Sequence, residues 1–111
     1  MRFVIIGAGR VGLRTARVLR EEGHDVTLLE RDERKADRAR DQGFTVVEGD
    51  GSREDRLEEA GVADADAVGA LTGDLNTNFA ACMIAKHHGA RTIMRIDEDY
   101  REEIYRKYAD E

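Results

Sequence analysis

Short apolar runs alternate along the chain with longer stretches in which apolar residues recur at helical spacing. The runs are rich in β-branched and aromatic residues, which is typical of strands buried on both faces. The predicted strands are residues 3–6, 25–29, 44–47, 67–71 and 91–96. Because strands that alternate with helices form parallel sheets with right-handed crossovers, the pattern predicts an α/β fold, a Rossmann-like doubly wound parallel sheet with helices on both faces.

Glycines punctuate this alternation. Each of the first four helical stretches ends at a glycine, where a residue at positive φ can close the last turn. These glycines are Gly23, Gly43, Gly61 and Gly89. A new strand follows each of them within a few residues, and no linker or low-complexity run interrupts the repeat, so we expect a single domain over residues 1–111.

The predicted helices differ in character. The first carries one face of Val11, Thr15, Val18 and Leu19. The second, residues 31–42, is densely charged and is predicted to be a surface helix with Asp32 as its N-cap. Ser52 and Asp55 have the spacing of a capping box for a helix over residues 53–60.

Two further helices are predicted in the second half of the chain. The helix over residues 75–88 should bury a stripe of Phe79, Cys82, Met83 and Ile84. The last helix, residues 98–108, carries a stripe of Tyr100, Ile104 and Tyr108. This second stripe predicts a packing surface, on this subunit or on a neighbour.

The turn after the first strand carries the strongest chemical signal. Gly7, Gly9 and Gly12 fit the pattern G-x-G-x-x-G between a predicted strand and a predicted helix. Gly7 permits the tight turn, Gly9 lets the backbone approach a pyrophosphate, and Gly12 lets the helix lie close to the strand. The second strand leads to an acid, Glu30, which can accept hydrogen bonds from ribose hydroxyls. These features predict a nucleotide site at the helix N-terminus; the alternative is a Rossmann-like domain that keeps the turn without a ligand.

Arg31 beside that acid can meet an adenine ring or a 2′-phosphate. Because Glu30 would repel a 2′-phosphate, NAD or an adenine nucleotide is favoured over NADP. Asp50 and Thr72 follow two further strands at their carboxyl ends, where open α/β sheets bind ligands. Asp50 is either a ligand contact or a turn-forming residue, and its position favours the ligand. Arg95, inside an apolar run, should pair with a carboxylate or reach the ligand phosphates.

The composition argues against several classes of function. The net charge of −6 argues against binding to the phosphate backbone of nucleic acid. The longest apolar run is only a few residues, so we expect no direct membrane insertion. The single cysteine, Cys82, fits a reducing cytoplasm and lies in an apolar helical stretch, which predicts a buried inert thiol. His24, His87 and His88 lack further ligands at metal spacing in the sequence and are predicted to be surface residues, so no metal site is expected.

The whole pattern resembles the TrkA-N domain, also called the N-terminal domain of the regulator of potassium conductance (RCK) family. The arginine inside the glycine loop and the Ala-Asp-Ala stretch before the fourth strand make this resemblance more specific than the glycine motif alone. The matching segments are residues 5–12, 23–26, 46–50, 60–68 and 71–74, with Glu30, Leu57, Asn78 and residues 85–86. One mild departure is Asp50-Gly51-Ser52, where the family often has Asp-Ala-Thr.

The resemblance implies a set of roles. Nucleotide binding would involve Gly7, Gly9, Arg10, Val11 and Gly12, with Glu30 on the ribose, Asp50 and Gly51 on the adenine side, and Thr72 and Arg95 near the phosphates or the second nucleoside. Family members use NAD(H) or ATP/ADP and form dimers or higher rings. The C-terminal subdomain that usually follows is not part of this chain, so we expect either an excised domain or a single-domain member that acts in trans.

The function that follows from the resemblance is a cytoplasmic regulatory module, without catalytic residues, that is peripheral to the membrane through a potassium transporter or channel subunit. The alternative is an NAD-dependent oxidoreductase or a fragment of one. That alternative needs a proton donor beside the nicotinamide, and none of the tyrosines has a lysine four residues on, as the short-chain dehydrogenase pair requires. A third hypothesis is an oligomerisation module that has the fold and binds no ligand.

Overall fold

The computed structural model describes residues 1–97 and 108–110. The strands are Arg2–Ile6 (β1), Asp25–Glu30 (β2), Thr45–Glu48 (β3), Ala67–Ala70 (β4) and Arg91–Met94 (β5). The α-helices are Arg10–Glu21 (α1), Glu33–Asp41 (α2), Glu54–Glu59 (α3) and Leu75–His87 (α4), with a 3-10 helix at Val62–Asp64. Every predicted strand is present, with its ends within two residues of the prediction. The predicted helix over residues 98–108 lies outside the described residues except for Tyr108.

All strand pairs are parallel, and the strand order is β3-β2-β1-β4-β5. The α/β Rossmann-like prediction is therefore confirmed. The chain runs outwards from β1 to β3 and then crosses back to β4 on the other side of β1. This reversal of strand order opens a crevice at the carboxyl ends of β1 and β4, which is the usual position of ligands in open α/β sheets.

The central strand supplies both hydrophobic cores because its side chains alternate between the two faces of the sheet. Val4 and Ile6 face the cluster that contains residues of α3 and α4, whereas Ile5 faces the cluster that contains residues of α1 and α2. Cys82 on α4 is fully buried in the first cluster. Burial raises the pKa of its thiol to about 12, as expected for an inert structural cysteine.

Helix α1 packs only part of its predicted face against the sheet, since Leu19 is partly buried against the cluster that contains Ile5 but Val11 and Val18 are exposed. Val11 and Val18 are 39% and 49% exposed, and the buried residues are Gly12, Leu13 and Ala16. The rotation of the helix is set by the contact of Gly12 with the first turn, since only a residue without a side chain fits there. The contact of a single glycine therefore outweighs the apolar stripe in the sequence.

Helix α4 keeps only part of its predicted stripe. Cys82 is buried and Phe79 and Ile84 are partly buried, but Met83 is 44% exposed. The helix packs instead through small residues and one amide, which are Asn78, Ala81, Cys82 and Ala85. Small residues allow α4 to approach the sheet closely, and this leaves the larger Met83 on the outer surface.

One predicted helix cap is confirmed and the other is wrong. The Asp32 carboxylate accepts hydrogen bonds from the backbone N–H groups of Arg34 and Lys35, as an N-cap does. Ser52 does not cap α3, because both its N–H and its hydroxyl donate to Asp50 Oδ1, at 2.8 and 2.7 Å. The four glycines predicted to close helical stretches all have positive φ, from 85° to 95°.

The short segment Tyr108–Asp110 packs back against β5. The Thr92 N–H donates to Asp110 Oδ2 at 2.7 Å, the Asp110 N–H donates to the Thr92 carbonyl at 2.8 Å, and Lys86 pairs with the same carboxylate. Ala109 is 4% exposed within the core. The hydrogen bond from Lys86, followed by that from the Thr92 N–H, lowers the pKa of Asp110.

Asp110→Ala should reduce the free energy of unfolding by about 1–2 kcal/mol, because it removes the acceptor of a buried N–H. A folded-state pKa below the unfolded one means that this stabilisation is present above the unfolded pKa, near 3.8, and is lost as the pH falls through the folded value. Urea titrations at neutral and acidic pH measure both effects. Asp37→Ala, which removes an exposed pair with Arg40, is the control and should change stability by less than about 0.5 kcal/mol.

Candidate functional site

A crevice of about 350 Å³ lies at the carboxyl ends of the central strands. Nine of the eleven residues singled out in the sequence line it: Gly7, Gly9, Arg10, Glu30, Arg31, Asp50, Gly51, Thr72 and Arg95. The other two do not line it, since Gly12 is buried beneath the first turn and the Val11 side chain is exposed on α1. Residues far apart in sequence therefore meet at one edge of the sheet.

The three glycines of the motif have separable structural roles. A Cβ on Gly12 would lie 1.8 Å from the carbonyl oxygen of Gly7, so the helix and the turn are in direct backbone contact. Gly7 has φ +101°, a backbone conformation that residues other than glycine rarely adopt. A Cβ on Gly9 would meet nothing nearer than Lys35 Nζ at 4.0 Å. The protein itself therefore leaves the space above Gly9 open to the crevice.

The N-terminus of α1 is equipped to receive an anion. Its N-cap is Gly9, no side chain caps it, and its first turn contains no acidic residue. Helices α2 and α4 are capped instead by Asp32 and Asp74. An uncapped first turn offers backbone N–H groups and the positive end of the helix dipole to a ligand in the crevice.

Glu30 is held within this site by two backbone donors. Its Oε1 accepts the Ala8 N–H at 2.6 Å, its Oε2 accepts the Asp32 N–H at 2.7 Å, and the residue is 8% exposed. The carboxylate therefore connects the glycine turn to the start of α2. Each oxygen has further lone-pair capacity, which a ligand hydroxyl can use. The sequence predicted a ribose contact but not this bracing of the loop.

Among the described residues, four cationic side chains line the crevice, and the sequence analysis missed one of them. Lys35 lies in the first turn of α2, a helix interpreted from its charge density as a surface helix. The available signal was its position one turn after the acid that ends β2. Arg95 follows β5, pairs with Asp97 through Nε at 2.8 Å and still lines the crevice. Both alternatives for Arg95, the carboxylate partner and the crevice, are thus compatible.

Asp50 forms a turn and also lines the crevice. The Ser52 N–H and hydroxyl, aided by the charge of Arg31, lower the pKa of Asp50 below its usual value, so it is a carboxylate at neutral pH. Gly51 lies close to β1, because a Cβ there would lie 2.3 Å from Ile6 Cγ2. The loop after β3 is therefore pressed against the end of β1.

A buried amide organises the other side of the crevice. Asn78 Oδ1 accepts from the Thr72 N–H at 3.0 Å and from the Thr72 hydroxyl at 2.6 Å. Its Nδ2 donates to the carbonyls of Thr72 and Arg95, at 2.9 and 3.1 Å. Asn78 is 1% exposed and fixes the segments that follow β4 and β5. The sequence signal was a single amide on the apolar face of the helix, and the stripe predicted for this helix did not include it.

Comparison with known proteins places this geometry in a family. A family model described as the TrkA-N domain matches residues 3–111. A protein of Pyrococcus abyssi named Trk system potassium uptake protein TrkA homolog is 39% identical over 108 residues, which are 95% of this chain and 48% of that protein. A Streptomyces coelicolor protein named Trk system potassium uptake protein TrkA is 34% identical, over 96% of this chain and 49% of its own length. The chain thus spans about half of these relatives.

Solved structures agree on the fold. The NAD(P)-binding domain of an exopolyphosphatase-related protein from Archaeoglobus fulgidus superposes with a TM-score of 0.86 at 20% identity, over 97% of this chain and 83% of that one. A structure described as the GsuK channel bound to NAD gives a TM-score of 0.86 at 21% identity, over 99% of this chain and 20% of that one. In the described part of this chain, no helix has the length and apolar character needed to cross a bilayer.

Proposed function

The chain belongs to the TrkA-N domain family, and from that premise we propose that it is a nucleotide-binding regulatory module of a potassium uptake system. The observation that carries the proposal is the uncapped N-terminus of α1, which faces the crevice. The space above Gly9 is open at this point, and the Glu30 carboxylate lines the same crevice. A phosphate chain and a ribose are the chemical groups that this combination suits.

The proposed position of the nucleotide follows the charges around the crevice. The phosphates lie against the backbone of Gly7 and Gly9 at the start of α1, with Arg10 and Lys35 available to neutralise them. The ribose hydroxyls donate to Glu30, and the adenine side lies near Arg31, Asp50 and Gly51. Thr72 and Arg95, on the other side of the crevice, lie near the outer phosphates or a second nucleoside.

NAD(H) is the first candidate and ATP/ADP the second. The Glu30 carboxylate disfavours the extra phosphate of NADP, because it would place two anionic groups together in a partly buried site. The arginine and lysine side chains on the phosphate side suit either two or three phosphates. Two observations support NAD(H) as the ligand. The full strand–turn–helix–strand–acid motif is present, and the crevice extends across both β1 and β4.

The proposed role is regulatory, with occupancy of the crevice shifting the domain between two conformations. A membrane potassium transporter or channel subunit reads that shift, and the domain acts in the cytoplasm as a homodimer or a larger homo-oligomer. The relatives named as potassium uptake proteins support this partner. Regulation requires that the nucleotide binds the two conformations with different affinity, since equal affinity would shift nothing.

Calorimetric titration with NAD+, NADH, NADP+, ADP and ATP tests the proposal. We expect NAD+ or NADH to bind at least about ten-fold more tightly than NADP+, which corresponds to about 1.4 kcal/mol. Preference for ATP or ADP would instead indicate an energy sensor. Absence of binding by all five would contradict the nucleotide site and leave only the fold. Hydride transfer to a substrate by the bound cofactor would support the oxidoreductase alternative.

A further inference from the structure

Helix α3 and the end of α4 bring three potential metal ligands together outside the nucleotide crevice. Glu54 and Glu58 lie one turn apart on α3, and His88 is the C-cap residue of α4. The ligand atoms of the three side chains all lie within 4.8 Å of one another. None of the three lines the crevice. The sequence interpretation of His88 as an ordinary surface residue missed this cluster because its acids are distant along the chain.

The His88 ring is the unusual member of the group. Its Nε2 is the buried side-chain nitrogen or oxygen that lacks a hydrogen-bond partner in the described part of the chain. Glu54 Oε2 lies 3.4 Å away, within ion-pair range but without hydrogen-bond geometry. A desolvated ring nitrogen without a hydrogen bond is costly and needs a reason. A metal ion bound to Nε2 would satisfy it.

One distance within this group matches a tetrahedral ion. Ligands about 2.0–2.1 Å from Zn²⁺ are about 3.3–3.4 Å from one another in a tetrahedron, and the His88 Nε2 to Glu54 Oε2 distance is 3.4 Å. Both glutamates are exposed, so the second carboxylate can rotate toward the ion at little cost. Buried Leu57 lies between them on α3 and fixes the rotation of that helix against the core.

We propose that Glu54, Glu58 and His88 bind a divalent transition-metal ion, with Zn²⁺ as the best fit. The imidazole nitrogen selects zinc and its neighbours over magnesium or calcium, which prefer sites built from oxygen ligands. Three protein ligands leave the fourth position to solvent. The ion would fix the short helix α3 to the end of α4. This site is independent of the nucleotide proposal.

Zinc titration of the metal-free domain, followed by calorimetry and by the melting temperature, tests the site. We expect one Zn²⁺ per chain and a higher melting temperature on binding. His88→Gln and Glu54→Gln should each weaken Zn²⁺ binding at least about ten-fold. The matched controls are His87→Gln and Glu59→Gln, which alter neighbouring exposed residues and should bind Zn²⁺ like the unaltered domain.

A spectroscopic readout separates coordination from a merely structural effect of these substitutions. Co²⁺ in place of Zn²⁺ should give the intense visible absorption of a tetrahedral site in the unaltered domain and in His87→Gln, and should lose it in His88→Gln. Urea unfolding in the presence of a chelator verifies that each variant is folded. Absence of Zn²⁺ binding by the folded domain, or equal losses in His87→Gln and His88→Gln, would overturn the proposal.

Discussion

Gly9→Val should abolish nucleotide binding and leave the domain folded. Gly9 has φ −78°, which is outside the left-handed region that favours glycine. A Cβ there would lie 4.0 Å from Lys35 Nζ and meet nothing nearer, so the first atom of the new side chain fits without a clash. The branched side chain would occupy the space through which a pyrophosphate approaches the backbone. We expect calorimetry to show an affinity loss of at least about 100-fold, or about 2.7 kcal/mol.

Gly12→Ala provides the contrasting control within the same motif. The new Cβ would lie 1.8 Å from the Gly7 carbonyl oxygen, so the helix and the first turn would be forced apart. We expect a large loss of stability in urea denaturation for this variant and a smaller one, of about 1 kcal/mol, for Gly9→Val, because valine is a poorer N-cap than glycine. Unchanged nucleotide affinity in a folded Gly9→Val domain would show that the phosphates do not approach this turn, and the proposed binding mode would be wrong.

The sequence predicted well those features that depend on local chemistry. The parallel sheet follows from the strand–helix repeat. The roles of Gly7 and Gly12 follow from the motif, because they are set by backbone sterics over a few residues. Asp32 caps its helix as predicted, since the cap involves only its immediate neighbours. Most of the candidate residues also line the crevice, because parallel strands place their carboxyl ends at one edge.

The features that the sequence did not predict are set by packing across the fold. Val11 and Val18 are exposed because contact at Gly12 fixes the rotation of α1. Ser52 is an exception, because a local turn bond to Asp50, two residues away, replaces the predicted cap. Asn78 forms hydrogen bonds with two segments that are distant from each other in the sequence, one after β4 and one after β5. Such contacts leave little periodic signal in one sequence.

Glu30→Ala should weaken both folding and nucleotide binding. Removing the carboxylate leaves the Ala8 and Asp32 N–H groups without their charged acceptor, so the free energy of unfolding should fall by about 2–4 kcal/mol. Loss of the proposed ribose contact should weaken nucleotide binding by about 1.5–3 kcal/mol. Urea denaturation and calorimetry measure the two effects separately, at a temperature where the variant is folded. Unchanged stability would contradict the bracing of the glycine turn.

Two further variants help to separate the effect of Glu30 on stability from its effect on nucleotide affinity. Glu48 is paired with Glu30 in the register of β2 and β3 but is exposed, so Glu48→Ala should change neither quantity by more than about 0.5 kcal/mol. Glu30→Gln keeps one oxygen acceptor and turns an amide NH₂ toward the other backbone donor, so its stability should fall between those of the unaltered domain and Glu30→Ala. If Glu30→Ala lowers stability but not affinity, the ribose is held elsewhere and the carboxylate serves only the turn. If stability and affinity both fall, the same buried carboxylate stabilises the glycine turn and binds the nucleotide.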